Sequence, residues 1–128
     1  MSALVTHAAW ILMITFMISF SYEFYRVTVK AGTSRHDSKR SFVTSLGLYG
    51  VASVVIAALF CGLSWAVWAG LIFSILMILV SIFYYNPRIL LERQPGVIDW
   101  FEDLVFTGLL FVAAVLLAYE VAGMTLQT

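Results

Sequence analysis

Four residues of this 128-residue chain carry donor types that could together hold a soft metal ion: His7, Cys61, Glu120 and Met124. Imidazole, thiolate, carboxylate and thioether suit Cu(I), and His7 with Glu120 alone could form a proton-sensitive pair. An acid at the centre of a membrane span costs about 2.5–3.5 kcal/mol, so an ionisable residue there is a functional candidate by default. His7 and Glu120, however, fall near helix ends, where that cost fades. A lone membrane cysteine behaves as a small apolar residue. The plainer reading is two interfacial residues and a packing thiol, with no metal and no cofactor expected.

Other chemistries find less support. A single cysteine excludes an internal disulfide and any multi-cysteine metal or iron–sulfur site. A bis-histidine haem needs two histidines within the helices, and His36 falls in a polar loop. No His pair stands at the i, i+3 or i, i+4 spacing of a zinc hydrolase. Ser45, Ser53, Ser74 and Ser81 have no base on their own helices, so nucleophilic catalysis is not expected. Gly47-Leu48-Tyr49-Gly50 lies inside an apolar run and reads as packing, with no phosphate loop. Asp99, Glu102 and Asp103 make an acidic patch, yet carboxylates collect at helix starts because they complement the positive end of the helix. No enzyme is expected.

The basic residues have a clearer use. Arg26, Lys30, Arg35, Lys39 and Arg40 fall in one polar segment. A positive loop is retained in the cytoplasm, and the same five side chains could contact anionic lipid head groups at about 1 kcal/mol each. Nucleic-acid binding would have only this loop to stand on, and is not expected.

The elements that position these residues follow from hydropathy. Hydrophobic residues make up 62% of the chain and charged ones 11%, against about 25% in an ordinary soluble domain. From Phe42 to Tyr85 there is no Asp, Glu, Lys, Arg, His, Asn, Gln or Pro. One span needs about 20 apolar residues, so this stretch is a hairpin of two helices, turning at Cys61-Gly62-Leu63-Ser64. An earlier span covers 4–25, without the basic start and small residues of a cleaved signal peptide, and ends in the aromatic belt Phe20, Tyr22, Phe24, Tyr25. A last span covers 100–122. The four spans are therefore 4–25, 42–61, 65–85 and 100–122, joined by loops over 26–41 and 86–99. Asp37 is expected to cap the second helix. Asn86-Pro87 is expected to start a short interfacial turn, with Ile89, Leu90 and Leu91 toward lipid and Pro95-Gly96 breaking it.

All seven Lys and Arg residues lie in those two loops. The positive-inside rule then places the loops in the cytoplasm and both termini outside. Small-residue steps at Ser53/Ala57/Cys61, Ala66/Gly70/Ser74 and Ala114/Ala118/Ala122 suit close helix packing within a bundle or between copies. At an offset of 62, Ser19, Tyr22, Arg26 and Asp37 fall on Ser81, Tyr84, Arg88 and Asp99, a faint internal repeat.

The expectation is an all-α, multi-pass protein of the cell membrane, a small up-down four-helix bundle with both termini outside. Its partners would be the lipid bilayer and other membrane subunits or further copies. Its role would be that of a non-catalytic subunit or accessory factor of a membrane complex; the alternative is a small homo-oligomeric transporter or channel. No motif assigns the chain to a family.

Overall fold

A computed structural model describes residues 3–123. Four helices form an antiparallel bundle: α1 (Ala3–Thr28), α2 (Lys39–Phe60), α3 (Ala66–Val80) and α4 (Val97–Val121). Below Val80 the third helix continues as a π-helical segment, Ser81–Leu90, and a 3-10 turn, Leu91–Arg93. All four helical stretches are long and apolar enough to cross a membrane. Each helix packs on its two sequence neighbours around the ring, with α4 closing against α1.

Short connections enforce the up-down order. The α2–α3 turn, at the hairpin end, lies where Gly and Ser interrupt the apolar run. Gly62 adopts φ +74, the left-handed conformation that glycine enters without a Cβ penalty. Its N–H bonds to the Leu59 carbonyl while the Leu63 N–H bonds to the Ala58 carbonyl, so the last carbonyls of α2 are satisfied.

At the opposite, loop end, the structure departs from the expected boundaries. Ser38 caps α2, its hydroxyl accepting from the Ser41 N–H at 3.2 Å, whereas Asp37 is turned inward onto Arg26. No helix starts at Asn86-Pro87; the third helix runs through Pro87. Proline lacks an N–H and crowds the preceding turn, and the wider π-helical winding accommodates both defects. Leu90 consequently points into the protein instead of toward lipid, while Leu91 is exposed. Gly96 caps α4, and the Asp99 carboxylate accepts from the Gly96 N–H at 2.8 Å, so Asp99 is the capping acid and Glu102 is free for another role.

The core divides along the bundle axis. Toward the hairpin end it is apolar: Leu4, Leu12, Leu59, Leu110 and Leu117 are at most 1% exposed. Gly70 on α3 admits the side chains of Leu117 and Leu59, and the Ala66/Gly70/Ser74 stripe is wholly buried. Ser53, Ala57 and Cys61 instead face outward, as do Ala118 and Ala122. In mid-bundle, Phe16 of α1 meets Tyr49 of α2, Phe73 of α3 and Phe106 of α4 at centroid distances of 6.4, 5.5 and 5.6 Å. This aromatic layer separates the apolar half from a polar one.

Candidate functional site

The polar half is built by two arginines. Arg26, in the last turn of α1, is 1% exposed. Its guanidinium donates through Nε and Nη2 to the two Asp37 oxygens at 2.8 and 2.7 Å, and through Nη1 to Asp99 at 3.2 Å. Nη2 also donates to the Arg93 backbone carbonyl at 2.8 Å. Asp37 is itself held by the Ser34 hydroxyl at 2.8 Å, and Asp99 by the Tyr22 hydroxyl at 2.5 Å.

Arg93, 2% exposed at the end of the third helix, makes the second knot. It forks onto Glu23 at 2.7 and 2.9 Å, and also donates to the Tyr85 hydroxyl at 3.1 Å and the His36 carbonyl at 3.0 Å. Its Nε stands 3.3 Å from Asp37. A planar, five-donor guanidinium suits such multiple fixation, and buried charges persist only when paired in this way. The two knots tie α1, both connections and the start of α4 into one unit.

Outside this core an exposed pair bridges the two connections. Arg35 donates to both Glu92 oxygens at 2.9 and 2.8 Å, and the His36 ring lies 2.5 Å from Glu92. Those bonds to Glu92 hold the Arg35 guanidinium above its ordinary range.

Between the arginine knots and the aromatic layer lies a pocket of about 210 Å³. Ser19, Tyr22 and Glu23 of α1 form one wall, and Ser41, Ser45, Leu48 and Tyr49 of α2 a second. Val80, Ser81, Tyr84, Tyr85 and Arg93 contribute from the third helix, and Glu102, Asp103 and Phe106 from α4. Hydroxyl pairs brace the walls, Ser19 with Tyr49 at 2.8 Å and Ser81 with Thr107 at 2.7 Å. Asp103 is buried beside Asn86 and Ser81. Glu102 is half-buried, and its carboxylate has no hydrogen-bond partner among the described residues.

The residues singled out from sequence fare differently. Of the five basic residues proposed to contact lipid head groups, Lys30, Arg35, Lys39 and Arg40 are exposed, but Arg26 is not available. Its guanidinium is consumed by two aspartates that need it more than water or lipid does. The His7 ring lies 2.6 Å from the Ala3 carbonyl in the first turn of α1, and Cys61 is an exposed free thiol at the hairpin turn. Glu120 lies in the last turn of α4, and Met124 lies outside the described residues. Among the described residues, no three His, Cys, Asp or Glu side chains gather closely enough to hold a metal ion.

Glu23 and Arg93, central to the site, were not singled out from sequence. The available signal was spacing: Ser19, Tyr22, Glu23 and Arg26 stand at i, i+3, i+4 and i+7, one polar stripe on an otherwise apolar helix. Asp99, Glu102, Asp103 and Phe106 repeat that spacing on α4. The faint repeat is not carried into equivalent roles: Arg26 is buried while Arg88 is exposed, and Asp37 and Asp99 converge on the same arginine. No protein-family model, curated protein or solved structure matches the chain.

Proposed function

We propose that the chain is a multi-pass protein of the cell membrane, with its loop end in the cytoplasm and its hairpin turn and both ends outside. There it acts as a non-catalytic subunit or accessory factor of a membrane complex. Large apolar side chains such as Trp10, Met17, Trp68, Phe83 and Leu104 cover the outer faces of the helices, far beyond the apolar patches a water-soluble monomer carries. The exposed basic residues at the loop end, Lys30, Arg35, Lys39, Arg40 and Arg88, support the orientation.

The observation that carries the subunit reading is the sealed hairpin half of the interior. Among the described residues, Leu4, Leu12, Leu59, Leu110 and Leu117 are at most 1% exposed and fill the interior of that half. With the interior closed, the surface left for function is outward, and there α2 presents the small residues Ser53, Ala57 and Cys61 to a neighbour. Blue-native electrophoresis after mild detergent extraction from the native membrane tests this. A complex larger than the 14.3 kDa chain is expected, and migration only as a monomer overturns it.

The loop-end pocket favours a second reading, a small homo-oligomeric transporter or channel whose path runs between copies. Flux from liposomes containing only the purified protein would establish that reading. Its absence, with a larger native complex present, supports the first.

A further inference from the structure

We propose that the loop end is a selective contact surface for anionic phospholipid head groups, made by Lys30, Lys39, Arg40 and Arg88 and not by the other three basic residues. The inference rests on the membrane reading above and deepens it, naming the lipid class at that surface and the side chains that select it.

Charge accounting isolates these four. Arg26 and Arg93 are buried against Asp37, Asp99 and Glu23, and Arg35 is forked onto Glu92. Of the remaining acids, Asp103 is buried, Glu102 lines the pocket, and Glu120 lies in the last turn of α4 at the hairpin end. Lys30, Lys39, Arg40 and Arg88 are exposed, and their side chains make no ion pair or hydrogen bond among the described residues. A chain with no net charge thus carries its uncompensated cations at one end.

Helix electrostatics do not account for two of them. Lys39 and Arg40 stand in the first turn of α2, the positive end of that helix, with no acid in that turn to offset them. A cation is disfavoured there, and an anion outside the protein relieves the repulsion.

The neighbours of the four cations point to a bilayer surface and away from a soluble polyanion. Val29 precedes Lys30, Val43 lies about one turn after Lys39 and Arg40, and Tyr84 stands four residues before Arg88. All three are more than half exposed. An exposed apolar side chain beside a long cationic one suits the boundary between hydrocarbon and head groups, where the stem stays in lipid and the charge reaches phosphate. The pairs come from the end of α1, the start of α2 and the end of the third helix, so the surface extends across three of the four helices. One cation near an anionic surface gives about a fivefold preference over a neutral one.

The test uses the purified full chain, immobilised in a nonionic detergent with equal amounts of dioleoylphosphatidylglycerol and dioleoylphosphatidylcholine, and counts the lipids retained. The two lipids share their acyl chains and differ in head-group charge. The wild-type chain should retain phosphatidylglycerol about fivefold or more over phosphatidylcholine. Salt at about 1 M should erase that preference without any substitution. The combined change Lys30→Gln, Lys39→Gln, Arg40→Gln and Arg88→Gln should abolish it at an unchanged melting temperature, because no partner is lost. A chain with Arg35→Gln and Glu92→Gln should keep it. Equal retention by the wild-type chain, a preference that survives salt or the fourfold change, or its loss with Arg35→Gln and Glu92→Gln would overturn the proposal. So would displacement of the lipid by inorganic phosphate or poly-glutamate, which would assign the surface to a soluble anion. Orientation is read separately, in cells, so a loop end found outside would overturn the orientation and leave the lipid selectivity standing.

Discussion

Arg26 near the end of α1 and Asp99 in the first turn of α4 lie 73 residues apart in sequence and meet at 3.2 Å inside the protein. The contact fixes the loop end of the α1–α4 pair. It also explains why Asp37, which could have capped α2, leaves that task to Ser38. One guanidinium serves two aspartates that a linear reading places in two separate loops.

Removing that guanidinium should be severe. Arg26→Ala leaves Asp99 buried without its cation and Asp37 with only the Arg93 Nε at 3.3 Å, a defect of about 3–5 kcal/mol. Thermal denaturation in detergent should show a large loss of stability. Arg26→Met combined with Asp37→Asn and Asp99→Asn should recover most of it, because no buried charge is then left alone. A single variant as stable as wild type would show that the knot does not hold the fold.

The Arg93–Glu23 fork and the Arg35–Glu92 fork have similar bond lengths but opposite surroundings, which makes them a matched comparison. A double-mutant cycle over Glu23→Ala and Arg93→Ala should give a coupling of about 2–3 kcal/mol. The same cycle over Arg35→Ala and Glu92→Ala should leave the melting temperature unchanged within error, since solvent screens that pair. Equal couplings for the two would remove the distinction drawn between buried and exposed forks.

Gly70 tests the packing of the apolar half. A Cβ there would stand 3.1 Å from a Leu117 methyl and 3.3 Å from a Leu59 methyl, both at the ends of flexible side chains. Gly70→Ala should therefore be nearly neutral after small leucine shifts. Gly70→Leu should destabilise by about 1–3 kcal/mol through overpacking. Gly47→Leu serves as the control, because nothing lies within 4 Å of the Cβ it would add.

The four apolar helices and the hairpin turn were legible in the sequence because both depend on uninterrupted apolar length and on one Gly-Ser interruption. The end of the third helix was not. Asn86-Pro87 has the composition of a helix start, and only the π-helical winding of Ser81–Leu90 lets the chain pass through it. That passage carries Arg93 inward, where a loop was expected. The arginine knots were hidden for a related reason: their partners lie up to 77 residues apart, counting Tyr22 with Asp99, and no local pattern names the partner. The polar stripe of Ser19, Tyr22, Glu23 and Arg26 did mark one face of α1 as unfit for lipid, and Tyr22 turns inward from the expected aromatic belt accordingly.

Orientation in the membrane is tested most directly with the natural thiol. Cys61 is the chain's single cysteine, exposed at the hairpin turn, and Thr33 is exposed in the α1–α2 connection at the other end. In intact cells a membrane-impermeant maleimide should label the wild-type chain at Cys61. A Cys61→Ala, Thr33→Cys chain should be labelled only after the membrane is permeabilised. Labelling of both in intact cells, or of Thr33→Cys alone, would contradict a four-span protein with its loop end in the cytoplasm.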